Sequence, residues 1–222
     1  MDGTTRLTSM DGHQLEAALA RPEGIARGGV VVIQEVFGVT DHIRRVAERF
    51  AAAGYLALVP ALFDRIAPGM VLEYDEDGIT RGREGVARLG WDDPLRDVRA
   101  AADWLAGQAL PVAAVGFCWG GTLACLCATR LGLPAVAYYG ARTAPFLHER
   151  PQAPLLLHYG EHDPLFPLAQ VERVRAAWPA AEIHLYPAGH GFDCDQRADF
   201  HPPSAALAFA RSLDFLARVL AR

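Results

Sequence analysis

No stretch of this chain approaches the roughly 20 consecutive apolar residues that a membrane-spanning helix requires. The start, Met1-Asp2-Gly3-Thr4-Thr5-Arg6, lacks the apolar core of a secretory signal, so a cytoplasmic location is expected. Basic excess is missing too. The 21 Lys and Arg residues stand against 26 Asp and Glu, a net charge of −5, which leaves no electrostatic footprint for nucleic acid. Cysteine is scarce: Cys118, Cys125, Cys127 and Cys194 are too few and too unevenly placed for a disulfide framework. Two of them, spaced two apart with no matching pair elsewhere, make a poor zinc site, and no metal is expected. Internal repeats, linkers and low-complexity tracts are absent. What is left is a globular composition, 222 residues at 51% hydrophobic and 21% charged. That is enough for one sizeable core and a single domain over residues 1–222.

Strand and helix patterns alternate along the chain. Gln14 to Ala20 reads as an edge strand. Val30-Val31-Val32-Ile33 is a continuous apolar run, as in a strand buried on both faces. Asp41 to Ala53 has Ile43, Val46, Ala47 and Phe50 at helical spacing, with Gly54 as the stop. Tyr55 to Val59 is a strand, and Pro94 to Ala106 a helix with proline in its first turn. Further strands are expected at Val112–Val115, Val136–Tyr139, Leu155–Tyr159 and Ile183–Tyr186, and further helices at Gly121–Leu131, Leu168–Trp178 and Ala205–Leu220. The alternation predicts a doubly wound, mainly parallel sheet flanked by helices. Ala61 to Asp93 has no clear pattern and reads as a lid or substrate loop.

The chemistry is concentrated where strands end. Val112 to Gly121 reads as a buried strand, then Gly116-Phe117-Cys118-Trp119-Gly120, then an alanine-rich helix. A strand that reverses sharply into a helix puts its tip residue in a strained conformation and tolerates only hydrogen atoms at the flanking glycines. This is the nucleophile elbow of an α/β-hydrolase with a thiol in place of the hydroxyl. It leaves the Trp119 N–H at the positive end of the following helix, as one oxyanion donor. Downstream, Glu161-His162-Asp163 follows the strand ending at Gly160, and Gly189-His190-Gly191 follows the strand ending at Tyr186. Cys118, Asp163 and His190 therefore occur in the order nucleophile, acid, base, which is that of α/β-hydrolases. Glu161 and His162 compete for the acid and base roles on the same loop. The loop after the first buried strand, Gln34-Glu35-Val36-Phe37-Gly38, offers the Val36 N–H as second oxyanion donor. Beside it, Glu35 is a carboxylate that would repel a thiolate or accept a thiol's proton; the alternative is a helix cap or a solvated side chain.

Taken together these segments resemble the dienelactone hydrolases (carboxymethylenebutenolidases). The matching pieces are Gln34–Gly38, Gly54-Tyr55 with Val59-Pro60, Gly116–Gly121, Tyr138-Tyr139-Gly140, Gly160–Asp163 and Gly189–Phe192. The resemblance runs from about Gly3 to Leu220. It implies the α/β-hydrolase fold and a small-molecule ester or lactone as substrate. It implies no metal or cofactor. With the charge and apolar runs above, no nucleic-acid or membrane partner is expected, and a monomer or homodimer is expected. The resemblance implies Cys118 as nucleophile, His190 as base, Asp163 as orienting acid and Glu35 as the carboxylate partnering the thiol. Phe37, Tyr139, Phe192 and Arg81 would line the substrate. The chain departs from the family where a carboxylate-binding arginine should follow the histidine, since Asp193 and Asp195 stand there and the first arginine is Arg197. A neutral or weakly polar substrate is therefore favoured, with Arg81, Arg83 and Arg197 as alternative anchors for an anionic one. Two other classes fit parts of the pattern. One is a non-catalytic binding homologue; the other is a redox protein using Cys118 with Cys194 as resolving thiol.

Overall fold

The structure is a computed structural model that describes residues 3–221. The chain forms two compact units, the first ending at Ala114 and the second running from Val115 to Ala221.

The first unit carries four strands in the order β1-β2-β4-β3. These are β1 (Thr4–Thr8), β2 (Gln14–Ala20), β3 (Gly29–Ile33) and β4 (Leu56–Pro60). β3 and β4 are parallel, while β2 joins β4 antiparallel and β1 joins β2 antiparallel. All five residues of β3 are buried, as a strand covered on both faces requires. Each fully buried Val or Ile there contributes about 1.5–3 kcal/mol. α1 (Asp41–Ala52) turns its Ile43, Val46, Ala47 and Phe50 face inward and is capped by Thr40, whose hydroxyl accepts from the Ile43 N–H.

Two expectations for this unit need correction. The edge strand is β1 and not β2, which sits between β1 and β4. The stretch from Ala61 to Asp93 is not a patternless loop. It holds a short 3-10 turn (Leu62–Arg65) and α2 (Glu76–Leu89), followed by α3 (Asp92–Ala106). Gly78, Gly82 and Gly85 lower the helix signal of α2, and all three are buried. A Cβ on Gly82 would overlap the carbonyl oxygen of Val36, so glycine is what lets the helix approach that loop. Asp75 caps α2 through a 2.7 Å bond from the Gly78 N–H. The 3-10 turn is pinned by Arg65, which makes two 2.7 Å bonds to the fully buried Asp97 of α3 and reaches Asp11 at 2.9 Å. A planar guanidinium satisfies both oxygens of one carboxylate and still reaches the second.

The second unit follows the order β5-β6-β7-β8, with β5 (Val112–Phe117) leading in from the first. β6 (Ala135–Tyr138), β7 (Leu155–Gly160) and β8 (Glu182–Tyr186) are parallel. α4 (Trp119–Leu126) follows β5 and ends in a π turn at Cys127–Leu131. α5 (Leu168–Ala177) and α6 (Pro202–Val219) complete it. The strands of this unit deliver the candidate residues at their C-terminal ends, where open parallel sheets place their sites.

Candidate active site

Cys118 is the turn between β5 and α4. Its backbone sits at φ 54°, ψ −116°, a region that L residues seldom adopt. The neighbouring glycines make the turn feasible. A Cβ on Gly116 would overlap the Gly120 carbonyl, and one on Gly121 would lie 2.6 Å from the Tyr138 carbonyl oxygen. The Cys118 N–H donates to that same Tyr138 carbonyl at 3.0 Å, which ties the tip to the end of β6. Strain held this way presents the side chain above the strand end. Cys118 is half-buried, whereas the other three cysteines are buried. Burial pushes the Cys125 thiol up to about 12 and raises Cys127 as well, so neither is a nucleophile at neutral pH. Trp119, at the head of α4, is buried beside the tip.

His190 closes the arrangement. Its Nε2 lies 3.2 Å from Cys118 Sγ and its Nδ1 lies 2.7 Å from Asp163 Oδ2. The other oxygen of Asp163 accepts from the Leu165 N–H at 2.8 Å, so the carboxylate is fixed at both ends. Asp163 and His190 are buried, at 3% and 4% exposure. Burial pulls the His190 pKa down. The adjacent Cys118 charge, the hydrogen bonds to Asp163 and Cys118, and the Asp163 charge outweigh it and raise the pKa from 6.5 to about 10. The imidazolium form is favoured wherever thiolate and carboxylate flank it. Gly191, at φ 84°, turns the chain immediately after the histidine. The competitors on the acid loop, Glu161 and His162, are exposed.

Around these three residues the aromatic candidates are interior groups. Tyr139 and Phe192 have no exposed surface. Tyr139, itself at φ 40°, meets the His190 ring edge-on at 5.2 Å and the Phe192 ring at 5.4 Å, a geometry that holds the imidazole plane. The two acids after His190 diverge: Asp193 is buried and Asp195 is exposed. Arg197 folds back so closely that a Cβ on Gly191 would stand 2.9 Å from its guanidinium carbon.

The candidates of the first unit lie on the 34–40 loop and on α2. Glu35 is fully buried and accepts a hydrogen bond from the Tyr74 hydroxyl at 3.1 Å, so the solvated alternative does not hold. Gln34 braces the loop, accepting from the Leu62 N–H at 3.1 Å. Phe37 is buried, with its ring 4.5 Å from that of Tyr74. Val36 is buried as well. Arg81 and Arg83 are exposed on α2, not in an irregular loop, and Arg81 pairs with Asp77 one turn earlier at 3.3 Å. Tyr74 escaped the sequence reading because it lies 39 positions from its carboxylate, in a stretch without periodicity.

A thiol, a carboxylate and an imidazole placed just past the C-terminal ends of β5, β7 and β8, in that chain order, are the pattern of an α/β-hydrolase, and the fold of solved relatives agrees. A Klebsiella pneumoniae structure provisionally named a dienelactone hydrolase superposes with a TM-score of 0.82 at 31% identity, covering 98% of this chain and 100% of that one. Residues 15–220 match the model of the dienelactone hydrolase family, and the chain belongs to that family. It is 35% identical over 236 residues to a protein of Synechocystis provisionally named carboxymethylenebutenolidase, covering 95% of each. It is 32% identical over 226 residues to the carboxymethylenebutenolidase of Pseudomonas putida, covering 95% of this chain and 94% of that one. The protein is thus an ester or lactone hydrolase. None of its described helices is long and apolar enough to cross a membrane.

Proposed function

We propose that the protein hydrolyses a small-molecule ester or lactone through a thioester on Cys118, with His190 as proton carrier and Asp163 as its orienting acid. The observation that carries this reading is the 3.2 Å contact between Cys118 Sγ and His190 Nε2, backed by the 2.7 Å contact from Nδ1 to Asp163. The raised pKa of His190 suits it to take the thiol's proton, which leaves a thiolate beside an imidazolium. The thiolate attacks the carbonyl carbon, and the carbonyl oxygen takes the negative charge beside the Trp119 N–H at the head of α4. The tetrahedral intermediate collapses and the C–O bond to the leaving alkoxide breaks. His190 gives that oxygen its proton, leaving a thioester and a neutral imidazole. His190 then takes a proton from water, whose oxygen attacks the thioester. Breaking the C–S bond returns the thiolate and releases the acid. From the Gln34–Gly38 motif and the family resemblance, Glu35 is assigned as the carboxylate that partners the thiol, and the Val36 N–H as the second oxyanion donor.

The redox alternative is less well supported, because its resolving thiol, Cys194, is fully buried. A binding-only protein has no use for a histidine held between a thiol and a carboxylate. Turnover of an activated aryl ester by the wild type, measured beside Cys118→Ala, tests the proposal. The wild type should turn over and the variant should not; equal rates would sink the mechanism.

A further inference from the structure

We infer that Tyr74 is a positioning residue for Glu35: its hydroxyl, oriented by Thr40, holds the Glu35 carboxylate in the orientation the hydrolysis uses. The inference rests on the reading that Glu35 takes part in that reaction.

A carboxylate with no exposed surface, as Glu35 has, is stable only where donors replace water. Tyr74 supplies one at 3.1 Å from Oε2. A phenol has a single proton. Since that proton goes to Glu35, the 2.9 Å contact between Tyr74 and Thr40 runs from the Thr40 hydroxyl to the Tyr74 oxygen. Thr40 in turn accepts from the Ile43 N–H at 3.4 Å as the cap of α1. The direction of every bond is thereby fixed, from the N-terminus of α1 through Thr40 and Tyr74 to the carboxylate. Such a chain polarises each successive donor. His42, also on α1, places a ring nitrogen within 4.8 Å of the same carboxylate.

The tyrosine is held for this task. Its ring rests on Phe37, centroids 4.5 Å apart and planes tilted by 50°. The chain just before it is tied to the Glu35 loop by the Leu72 N–H to Phe37 carbonyl bond at 2.8 Å and by a bridge between Gly38 and Val71. The chain just after it enters α2 through the Asp75 cap, and α2 meets the Val36 carbonyl at Gly82. The segment that reads in the sequence as a lid is therefore a cradle for the 34–40 loop, and Tyr74 is its polar contact with Glu35.

The test is a double-mutant cycle on kcat and KM for an activated aryl ester, with Tyr74→Phe, Glu35→Gln and the double variant. Phenylalanine keeps the ring contact and removes only the hydroxyl. Tyr74→Phe should lower kcat roughly tenfold at unchanged KM, as expected for losing a hydrogen bond to a charged group. It should add nothing in the Glu35→Gln background. Thr40→Val should reproduce the kcat loss and Thr40→Ser should not. Wild-type kcat in Tyr74→Phe beside a loss in Glu35→Gln would overturn the positioning role alone, as would losses that multiply in the double variant. Full kcat in Glu35→Gln would overturn the role of Glu35, and this inference with it.

Discussion

Two histidines of the second unit stand in near-identical burial and opposite electrostatic surroundings. His158 on β7 has no exposed surface, and His190 has 4%. Each has both ring nitrogens within reach of a side chain. For His158 the partners are hydroxyls: Tyr186 at 2.8 Å from Nδ1 and Ser212 at 3.0 Å from Nε2. For His190 they are a carboxylate and a thiol. Burial drives the His158 pKa well below 6.5, assisted by the nearby His184 and Arg211. At His190 burial acts in the same direction and loses to the flanking negative charges. Burial alone thus lowers an imidazole's proton affinity; burial against a carboxylate and a thiol raises it. Ser212 also bonds Tyr138 at 2.7 Å and the Ala208 carbonyl at 2.9 Å, so the His158 cluster stitches β6, β7 and β8 to α6.

The contrast can be broken by exchanging which histidine is removed. His190→Ala should lower kcat/KM for an activated ester by at least about 10²-fold, the lower end of a general acid–base contribution. His158→Leu should stay within a few-fold of wild type in the folded fraction. A folded but inactive His158→Leu, beside an active His190→Ala, would reverse the assignment. Asp163→Asn sharpens the same point. It removes the Asp163 charge, so the His190 pKa should fall from about 10, read as a shift of the imidazole NMR titration, and kcat/KM should fall about 10²-fold. A titration left where it was would mean that the thiol alone sets the proton affinity.

Stability should respond in the opposite sense. His158→Leu leaves the Tyr186 and Ser212 hydroxyls each short of a partner in the interior. Urea unfolding should show a loss of about 2–4 kcal/mol, while His190→Ala at equal burial should lose less. The pH dependence follows from the direction of the shift. A histidine whose folded pKa is depressed binds fewer protons in the native state, so stability is full above the unfolded pKa of 6.5 and falls as pH drops below it. Tm should therefore decline below about pH 6.5 in the wild type and decline less in His158→Leu. Equal slopes would show that His158 is not kept neutral by folding.

Much of the second unit was legible in the sequence. The Gly116 to Gly121 pattern leaves little choice, because the overlaps at Gly116 and Gly121 are backbone overlaps that no other residue avoids. Asp163 and His190 stood out as candidates because each stands in the first few residues past a strand's end. The first unit hid more. Helix α2 carries three buried glycines where its apolar face should be, and β1, Thr-rich and mostly exposed, offers no apolar alternation. Tyr74 was invisible because its role depends on a contact across 39 positions. Phe37, Tyr139 and Phe192 read as substrate-lining from the resemblance, but side-chain direction is not written in a motif. All three pack inward, Tyr139 against His190 itself.

The central claim is that the thiolate of Cys118 carries the acyl group. Wild-type protein mixed with an activated aryl ester, quenched in acid within the first turnover and mapped by mass spectrometry, tests it directly. The account predicts the acyl mass on the peptide holding Cys118, and its absence in Cys118→Ala. Acylation of a different residue, or full turnover by Cys118→Ala, would contradict it.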